Sequence, residues 1–312
     1  MSNINLDVLY SIKVGQILAN DKTGEIYSVH SDYPVKDAFE LMIRKKVLSL
    51  PIFDSVHRKY NNFIDMVDIV CFCMKHFSKK ELIDFDMNYI LESKQIFEKF
   101  KCGDICDLSG RNAYLPVEST APLKVAIDLM SKWGVHRIPI IDAEGTLISI
   151  LTQSKIIEYL YKNLEKIGDL SVLLQDIPNM GNPNVITIQK DALVMDAFKL
   201  IQENNISAIG VVNQIGILEG NISVSDMKMV GYDGKLLSRM FLPVETFMDM
   251  IPKNPTIQMF NNILCVRDTT TLEETITKFY LSKVHRIYKI DHEGRPKSVI
   301  SQGDVLKYFS KE

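Results

Sequence analysis

Val135–Ile138, with the sequence VHRI, returns far along the chain as Val284–Ile287. In each copy a hydroxyl residue follows sixteen positions after the histidine, Thr152 in one and Ser301 in the other. A basic pair at a fixed distance from a hydroxyl residue indicates a chain built from internal repeats. The rest of the sequence can therefore be aligned on these two copies.

Four apolar runs, each ending in Asp or Asn, extend the repeat. Short apolar runs that end in turn-forming residues are typical of buried strands. A stretch with apolar residues at helical spacing precedes each run, as at 122–130. One repeat therefore predicts helix, strand, turn, strand and helix. The fold class is α+β, with four small, mostly three-stranded sheets flanked by helices that pair to share cores. The runs are Leu50–Asp54, Ile138–Asp142, Ile209–Asn213 and Ile287–Asp291.

The spacing of the runs is too long and irregular for a solenoid. We place units at 12–78, 104–165, 182–232 and 240–310, with linkers or insertions at 79–103 and 166–181. A cluster of helix-breaking residues at Asn179–Pro183 favours a division into two halves near residue 168. The charged, partly amphipathic stretch Phe77–Phe100 predicts a helical insertion on the surface. Predicted core positions are Leu50, Ile52, Ile138, Ile140, Ile141, Ile209, Val211, Ile287 and Ile290, and we expect Trp133 to be largely buried at a unit interface.

Composition excludes several classes of protein. The net charge of −3, from 36 basic and 39 acidic residues, argues against a nucleic-acid surface. No apolar run approaches the roughly 18 residues of a membrane span, and the first residues lack the features of a signal peptide. The five scattered cysteines suit a reducing compartment. We expect a cytoplasmic protein, with the nucleus as a second location.

No catalytic or metal site is predicted. Cys71 with Cys73, and Cys102 with Cys106, are poorly spaced for zinc, and buried thiols are the simpler interpretation. The chain has no glycine-rich phosphate loop, no nucleophile elbow and no kinase signature. We therefore expect a protein that is not an enzyme.

Two stretches, Ser223–Asp226 and Ser301–Asp304, have a Ser-x-x-Asp pattern just before a helix. This pattern is typical of a helix cap, which needs no ligand. It also suits a ribose, because an ionised carboxylate at a helix N-terminus can accept hydrogen bonds from both ribose hydroxyls. The pattern alone leaves both interpretations open.

The basic pairs favour a ligand. His136-Arg137 and His285-Arg286 begin buried strands, where an arginine is costly unless it is paired. The planar guanidinium suits phosphate oxygens, and histidine adds a donor. The alternative is that each arginine pairs with a nearby carboxylate or reaches solvent.

The arrangement resembles the CBS-domain family, and its four copies look like the gamma regulatory subunit of AMP-activated protein kinase and its plant-type relatives. The resemblance covers about 14–309 and is carried best by Val135–Asp142, Val284–Ile287 and Ser301–Leu306. Ser109–Asn112 is similar to the plant-type relatives. It implies two Bateman modules, each made of two CBS units. It also implies AMP, ADP or ATP as regulatory ligands, with no catalytic residue.

The resemblance implies a role for each candidate residue. Lys155 stands at the ribose-acid position of the second unit. Cys71 stands there in the first, with Asp68 in place of the hydroxyl and Leu48 in place of a phosphate-binding arginine. The third unit has Ile206-Ser207 in place of His-Arg, so at most two complete ribose sites remain. Ribose binding is implied for Asp226, Asp304, Ser223, Ser301 and Thr152, and phosphate binding for His136, Arg137, His285 and Arg286.

The leading functional hypothesis is a non-catalytic regulatory subunit that binds adenine nucleotides and reports energy state through a kinase partner. Its partners would be kinase catalytic and scaffold subunits. One alternative is a stand-alone CBS protein that binds an adenosine-containing ligand. The other is a scaffold whose nucleotide sites have decayed, in which the Ser-x-x-Asp patterns are only caps.

Overall fold

The computed structural model describes residues 4–19, 25–76, 95–231, 238–251 and 263–310. These residues form four three-stranded sheets, and in each a short strand pairs in parallel with the first strand of an antiparallel hairpin. Helices accompany every sheet, so the predicted α+β class with four repeats is confirmed. Within the described residues, no helix is both long and apolar enough to cross a membrane.

The strands follow the order of the repeats, three to each. They are β1 Val29–His30, β2 Ser49–Asp54, β3 Lys59–Asp65, β4 Val117–Glu118, β5 Arg137–Ile141, β6 Leu147–Thr152, β7 Thr187–Gln189, β8 Ala208–Val212, β9 Leu218–Ser223, β10 Cys265–Val266, β11 Arg286–Ile290 and β12 Pro296–Ser301.

The helices include one long pair in the first, second and fourth repeats, whereas the third repeat ends in a short helix. They are α1 Asp7–Ser11, α2 Val14–Leu18, α3 Val35–Lys45, α4 Met66–His76, α5 Cys102–Ile105, α6 Leu123–Trp133, α7 Gln153–Lys162, α8 Leu164–Ile167, α9 Val194–Glu203, α10 Met227–Val230, α11 Val244–Met250, α12 Leu272–Ser282 and α13 Gln302–Ser310. Single 3-10 turns occur at Leu174–Asp176, Val224–Asp226 and Ser238–Phe241.

The C-cap residue of the helix before the hairpin lies two residues ahead of the basic pair. Gly134 caps α6 with φ of 66°, and Lys283 caps α12 with φ of 53°. A left-handed residue at a helix C-terminus reverses the chain direction. The strand that follows therefore begins at Arg137 or Arg286, as the repeated sequence predicts.

The chain forms two compact units that do not correspond to its two halves. The even-repeat unit contains 4–19, 25–26, 114–185 and 263–310, and so combines the second and fourth repeats. The odd-repeat unit contains 27–76, 95–113, 186–231 and 238–251, and combines the first and third. The expected division near residue 168 is therefore wrong, since that residue lies inside the even-repeat unit.

The segment that leads into each repeat packs on a different repeat. We call the segment before the first strand of a repeat its lead-in. Val14 N donates to Ala121 O over 2.9 Å, so the lead-in of the first repeat packs on the second repeat. Cys102 N donates to Tyr33 O over 2.8 Å, so the lead-in of the second lies on the first. The third and fourth repeats exchange lead-ins in the same way, by bridges Leu173–Thr271 and Leu193–Pro243. A single cut in the chain does not separate the two units because consecutive repeats belong to different units.

Glycine permits two of these close approaches. A Cβ at Gly15 would lie 3.0 Å from Ser119 O, and one at Gly103 would lie 3.1 Å from Ser31 O. Both glycines donate a backbone hydrogen bond to that same carbonyl, over 2.9 and 2.8 Å. Equivalent glycines thus bring two lead-ins against the strand ends that they cover.

The core of the even-repeat unit is built by helices of both its repeats. Tyr161 of α7 stacks on Tyr280 of α12 with ring centroids 4.2 Å apart. Lys124, which is buried, pairs with Asp128 on α6, and Ser310 at the end of α13 donates to the same carboxylate over 2.9 Å. Apolar side chains from α6, α7, α12 and α13 fill the space between them.

The predicted core is largely confirmed. Eight of the nine named positions are buried, and Ile141 at the end of β5 is half-buried. Trp133 was expected to be buried, but 61% of it is exposed. It is the last residue of α6 and follows the exposed face of that helix, on which Val125 is also exposed.

The helix expected within Phe77–Phe100 is present at its described end, where Gln95, Glu98 and Lys99 are exposed, but this end is also anchored in a core. Residues 77–94 lie outside the described residues, and 95–99 are helical. Phe97 is fully buried, with its ring centroid 5.9 Å from that of Phe39 and 5.3 Å from that of Phe72. This end of the stretch belongs to the core of the odd-repeat unit because it carries a large apolar side chain at the point where the chain enters α5.

Candidate functional site

Strand pairing fixes which residues correspond in the four repeats. Arg137 pairs with Thr152, and Arg286 pairs with Ser301. In the other two repeats the same register pairs Ala208 with Ser223 and Ser49 with Asp65. A shared backbone hydrogen bond confirms the register: Gln153 to His136, Val224 to Ser207, Gln302 to His285 and Met66 to Leu48.

This register corrects the alignment of the first repeat. Asp65, not Asp68, stands at the hydroxyl position, and Asp68 stands at the acid position in place of Cys71. From Asp54 to Asp65 is 11 positions, against 10 from Asp142 to Thr152, whereas aligning the first repeat on Asp68 makes this distance 14. Leu48 stands at the position of the histidine and Ser49 at that of the arginine.

The third repeat is corrected by one residue. Ser207-Ala208, not Ile206-Ser207, stands where the second and fourth repeats have His-Arg. Neither side chain is charged, so the odd-repeat unit has no basic residue at the His or Arg position of either repeat.

Asp304 lies in the first turn of α13 and caps the N-terminus of that helix. Its Oδ2 accepts hydrogen bonds from Ser301 N over 2.8 Å and from Ser301 Oγ over 2.7 Å. Oδ1 points the other way and has Lys307 Nζ at 3.5 Å, and the side chain is 15% exposed. The capping bonds therefore use one carboxylate oxygen and leave the other with acceptor capacity.

Asp226 makes the same contacts in the third repeat. Its Oδ2 accepts from Ser223 N over 2.7 Å and from Ser223 Oγ over 2.9 Å, while Ser223 Oγ lies 2.5 Å from Ser225 Oγ. Burial lowers the pKa of the neighbouring Lys228 to about 8, partly offset by the charge of Asp226. Two repeats thus present the same acid in the same geometry.

The second repeat has a cap without an acid. Thr152 Oγ1 accepts from Lys155 N over 3.2 Å at the start of α7. Lys155 Nζ pairs with Glu158 Oε2 at 3.2 Å. A cation at this position suits an anionic group rather than a ribose.

The even-repeat unit brings basic groups from both of its repeats together. Partial burial lowers the pKa of His285, and the nearby charges of Arg286 and Arg137 lower it further, while a hydrogen bond with Gln302 raises it. Ser154 Oγ of the second repeat lies 3.4 Å from His285 Nδ1 of the fourth. Three of the four predicted phosphate-binding residues therefore share one place.

His136 is the fourth of these residues. It is half-buried just before β5, and its carbonyl accepts from Gln153 N over 3.2 Å. Asp226 and Ser223 belong to the other compact unit and form a cluster of their own.

Two glutamines that the sequence interpretation missed, Gln153 and Gln302, lie where the N-termini of α7 and α13 meet. Gln302 Nε2 donates to Val284 O over 2.9 Å, and Gln153 Nε2 donates to Val135 O over 3.2 Å. Both glutamines are buried. A Cβ at Gly303 would lie 3.3 Å from Gln153 Nε2, so the two helix N-termini meet here. Gln follows the hydroxyl residue in these two repeats only, and that was the signal in the sequence.

In the first repeat the corresponding acid is enclosed. Asp68 is fully buried and accepts hydrogen bonds from Asp65 N, Ser109 N and Asn112 Nδ2 over 2.8, 2.8 and 3.1 Å. Burial, together with the charge of Asp65, raises the pKa of Asp68 to about 8. Burial lowers the pKa of Arg111, which the charges of Asp65 and Asp68 oppose.

Within the described part of the chain, no three His, Cys, Asp or Glu side chains are grouped to hold a metal ion. Cys73 and Cys102 are buried, and burial raises the pKa of the Cys102 thiol to about 12 and of the Cys71 thiol to about 11. These thiols act as small apolar side chains, and a high pKa makes them poor nucleophiles.

Comparison with known proteins agrees with the four repeats. The CBS domain model matches residues 14–70, 107–162, 175–231 and 256–311. Among solved structures, protein MJ1225 of Methanocaldococcus jannaschii, a proposed archaeal homologue of g-AMPK, is 21% identical and has a TM-score of 0.73, covering 96% of this chain and 100% of its own. An uncharacterised conserved protein of Pyrococcus horikoshii is 17% identical with a TM-score of 0.56, over the same shares of the two chains.

Curated relatives include the proteins named SDS23. That of Candida albicans is 25% identical over 309 residues, which are 90% of this chain and 49% of the relative. That of Kluyveromyces lactis is 26% identical over 314 residues, 94% of this chain and 59% of the relative. The chain thus spans about half to three-fifths of these relatives, and their name is not that of an enzyme. With four matched domains over most of its length, the chain belongs to the CBS-domain family.

Proposed function

We propose that the chain is a non-catalytic regulatory protein that binds AMP, ADP or ATP in its even-repeat unit and transmits the energy state to a kinase partner. The observation that carries the proposal is the meeting of two repeats at His285: Ser154 Oγ at the start of α7 lies 3.4 Å from His285 Nδ1. Arg137 and Arg286 pair with Thr152 and Ser301, the residues that precede α7 and α13. Positive groups beside a helix N-terminus favour an anion such as a phosphate.

The ribose would be held by Asp304. Its Oδ1 retains acceptor capacity, and a carboxylate oxygen can take hydrogen bonds from adjacent hydroxyls. Ser301 would position the acid through its two bonds to Oδ2. Asp226 and Ser223 would offer a second ribose position, in a unit without the basic pairs.

Regulation requires that the ligand favour one conformation over another. Ser154 and Gln302 join the two repeats of the even-repeat unit over 2.9 Å, immediately beside His285. A phosphate bound at His285 would therefore act on a contact between repeats. We propose that a kinase reads the result, together with a scaffold subunit.

The experiment compares two helix-capping acids. Glu274 caps α12 as Asp304 caps α13: Thr271 N donates to Glu274 Oε2 over 2.9 Å, and Thr271 Oγ1 accepts from Glu274 N over 3.1 Å. We expect Asp304→Ala and Glu274→Ala each to lower the free energy of unfolding by about 0.5–2 kcal/mol, as for other lost caps. Only Asp304→Ala should weaken AMP, ADP and ATP binding in calorimetric titration.

The same titrations separate the alternatives. A wild-type chain that binds no adenine nucleotide, with both variants equally destabilised, would make the acids caps and the chain a scaffold. If the chain binds adenine nucleotides but no kinase is found in its purified native complexes, it is a stand-alone CBS protein. A kinase catalytic subunit that co-purifies and whose activity responds to AMP is the outcome that we expect.

A further inference from the structure

The first repeat contains a third acid in the position of Asp226 and Asp304. Asp65 N donates to Asp68 Oδ2 over 2.8 Å, as Ser301 N donates to Asp304 Oδ2 over the same distance. Asp68 also lies in the first turn of its helix, α4, as Asp304 lies in the first turn of α13. The acid that would hold ribose in the fourth repeat is thus present in the first.

The two acids differ in what surrounds their remaining acceptor sites. Asp304 is partly exposed, and its Oδ1 has a side-chain contact at 3.5 Å. Asp68 is fully buried, its Oδ1 accepts from Ser109 N over 2.8 Å, and its Oδ2 accepts in addition from Asn112 Nδ2 over 3.1 Å. The two oxygens of Asp68 thus accept from two neighbouring donors, and a ribose diol would also supply two donors.

Both donors come from one loop, Asp107–Asn112, which is anchored to the first repeat. Asp107 N donates to Phe63 O over 3.2 Å, and Asp107 has φ of 51°. Asp107 Oδ1 then accepts from Asn112 N over 2.7 Å and so holds the amide side chain towards Asp68. Asn112 is itself buried.

The loop also supplies charge. Arg111 lies near enough to Asp65 and Asp68 for their charges to raise its pKa against the lowering effect of burial. Two buried carboxylates are costly without compensation. Two hydrogen-bond donors and a guanidinium from a single loop offset part of that cost.

We propose that the loop Asp107–Asn112 is a built-in occupant of the first repeat, which fills in cis the position that a ribose would take at Asp304. The hydrogen bonds from the loop to Asp68 are the evidence that the loop occupies this position. That the position would otherwise hold a ribose rests on the function proposed above. The first repeat is then closed to nucleotides although it has the acid.

The first test needs no ligand. Asp68→Asn, Asn112→Ala and the double variant are compared with the wild type by thermal unfolding. We expect the shifts in melting temperature to be strongly non-additive, because each variant removes the same contact. Asn204→Ala is the control, since its side chain caps a helix in the same unit, donating to Leu200 O over 2.9 Å. Additive shifts for Asp68 and Asn112 would overturn the occupancy.

The second test releases the loop and measures the stoichiometry of adenosine binding by equilibrium dialysis. Asp107→Ala combined with Asn112→Ala should bind one more equivalent of adenosine per chain than the wild type, and adding Asp68→Asn should remove it. If this variant does not fold, Asn112→Ala alone is used. An unchanged stoichiometry would overturn the role as a ribose substitute. Absence of adenosine binding by the wild type would count against the proposed function, while the unfolding comparison still decides the occupancy.

Discussion

The hydroxyl of Ser154 donates to Gln302 Oε1 over 2.9 Å and so joins the second repeat to the fourth. Gln302 is buried, and its Nε2 is already bonded to Val284 O. The equivalent residue of the fourth repeat is Gly303, which has no hydroxyl to return the contact. The link between the two helix N-termini is therefore one-sided and depends on Ser154.

We expect Ser154→Ala to lower the free energy of unfolding by about 0.5–1.5 kcal/mol, because it removes the hydrogen bond from the second repeat to the buried Gln302 Oε1. Ser131→Ala is the matched control, since the buried Ser131 hydroxyl has no hydrogen-bond partner among the described residues. Chemical denaturation of both variants checks the difference. Equal losses would mean that the link does not stabilise the even-repeat unit.

His285 predicts a pH dependence of nucleotide binding. Burial and two neighbouring guanidiniums lower its pKa below 6.5, so the free ring is neutral at pH 7. A bound phosphate favours the protonated ring, so AMP affinity should rise as pH falls from about 7 to about 6. Titration calorimetry at several pH values checks this. Adenosine, which has no phosphate, and His285→Gln should both show a flatter profile; a matching slope for adenosine would exclude His285 as the cause.

The same shift affects stability in the opposite direction. A histidine with a depressed pKa in the folded state is neutral there, whereas the unfolded chain binds a proton near pH 6.5. The unfolded state then binds more protons, so stability without nucleotide should fall as pH drops below about 6.5. His285→Gln should lose less stability than the wild type over this range in thermal unfolding.

Trp133 provides a spectroscopic check, since it is the sole tryptophan of the sequence. Because 61% of it is exposed, its fluorescence should be readily quenched by acrylamide in the native protein. Trp133→Ala should change the free energy of unfolding by less than about 0.5 kcal/mol, as at other surface positions. A loss of about 3–5 kcal/mol, typical of a buried tryptophan, would place the side chain in an interface.

A cut at residue 168 should not yield two stable halves. Ile127 and Leu160 of the second repeat share a core with Phe279 and Phe309 of the fourth. Fragments 1–168 and 169–312 should each aggregate or unfold without cooperativity, because their apolar helix faces lose their partners. An equimolar mixture should recover a cooperative transition in calorimetry. Cooperative, monomeric unfolding of either fragment alone would contradict the pairing of repeats.

The sequence predicted the repeat, its strands and nearly all of the named core. Those features are local: the apolar run of the strand at Ile138 and the fixed spacing from His285 to Ser301 each follow from one stretch of chain. The failures had non-local or marginal causes. Trp133 is the last residue of α6, and the spacing of apolar residues in that helix does not mark which of them lie on its exposed face. The hairpin of the first repeat differs too little in length from the others for residue spacing to set its register.

The residues proposed for the candidate site could be named from the sequence, but their proximity could not. Arg137 and His285 are far apart in sequence, and only the packing of α6 and α7 against α12 and α13 brings them together. The enclosure of Asp68 was also beyond the sequence. It depends on a loop more than forty residues later, and no pattern in that loop specifies which carboxylate it will cover.

The exchange of lead-ins has a kinetic consequence. Leu9 and Phe309 lie in one core, so that core cannot close until the chain has been synthesised as far as Phe309. Pairing of residues so distant in sequence slows folding, because the entropy of closing the long loop is lost before the stabilising contacts form. During synthesis the apolar helix face of the second repeat would therefore stay exposed to solvent until the fourth repeat is made. A chaperone that binds exposed apolar faces would be most needed in that interval.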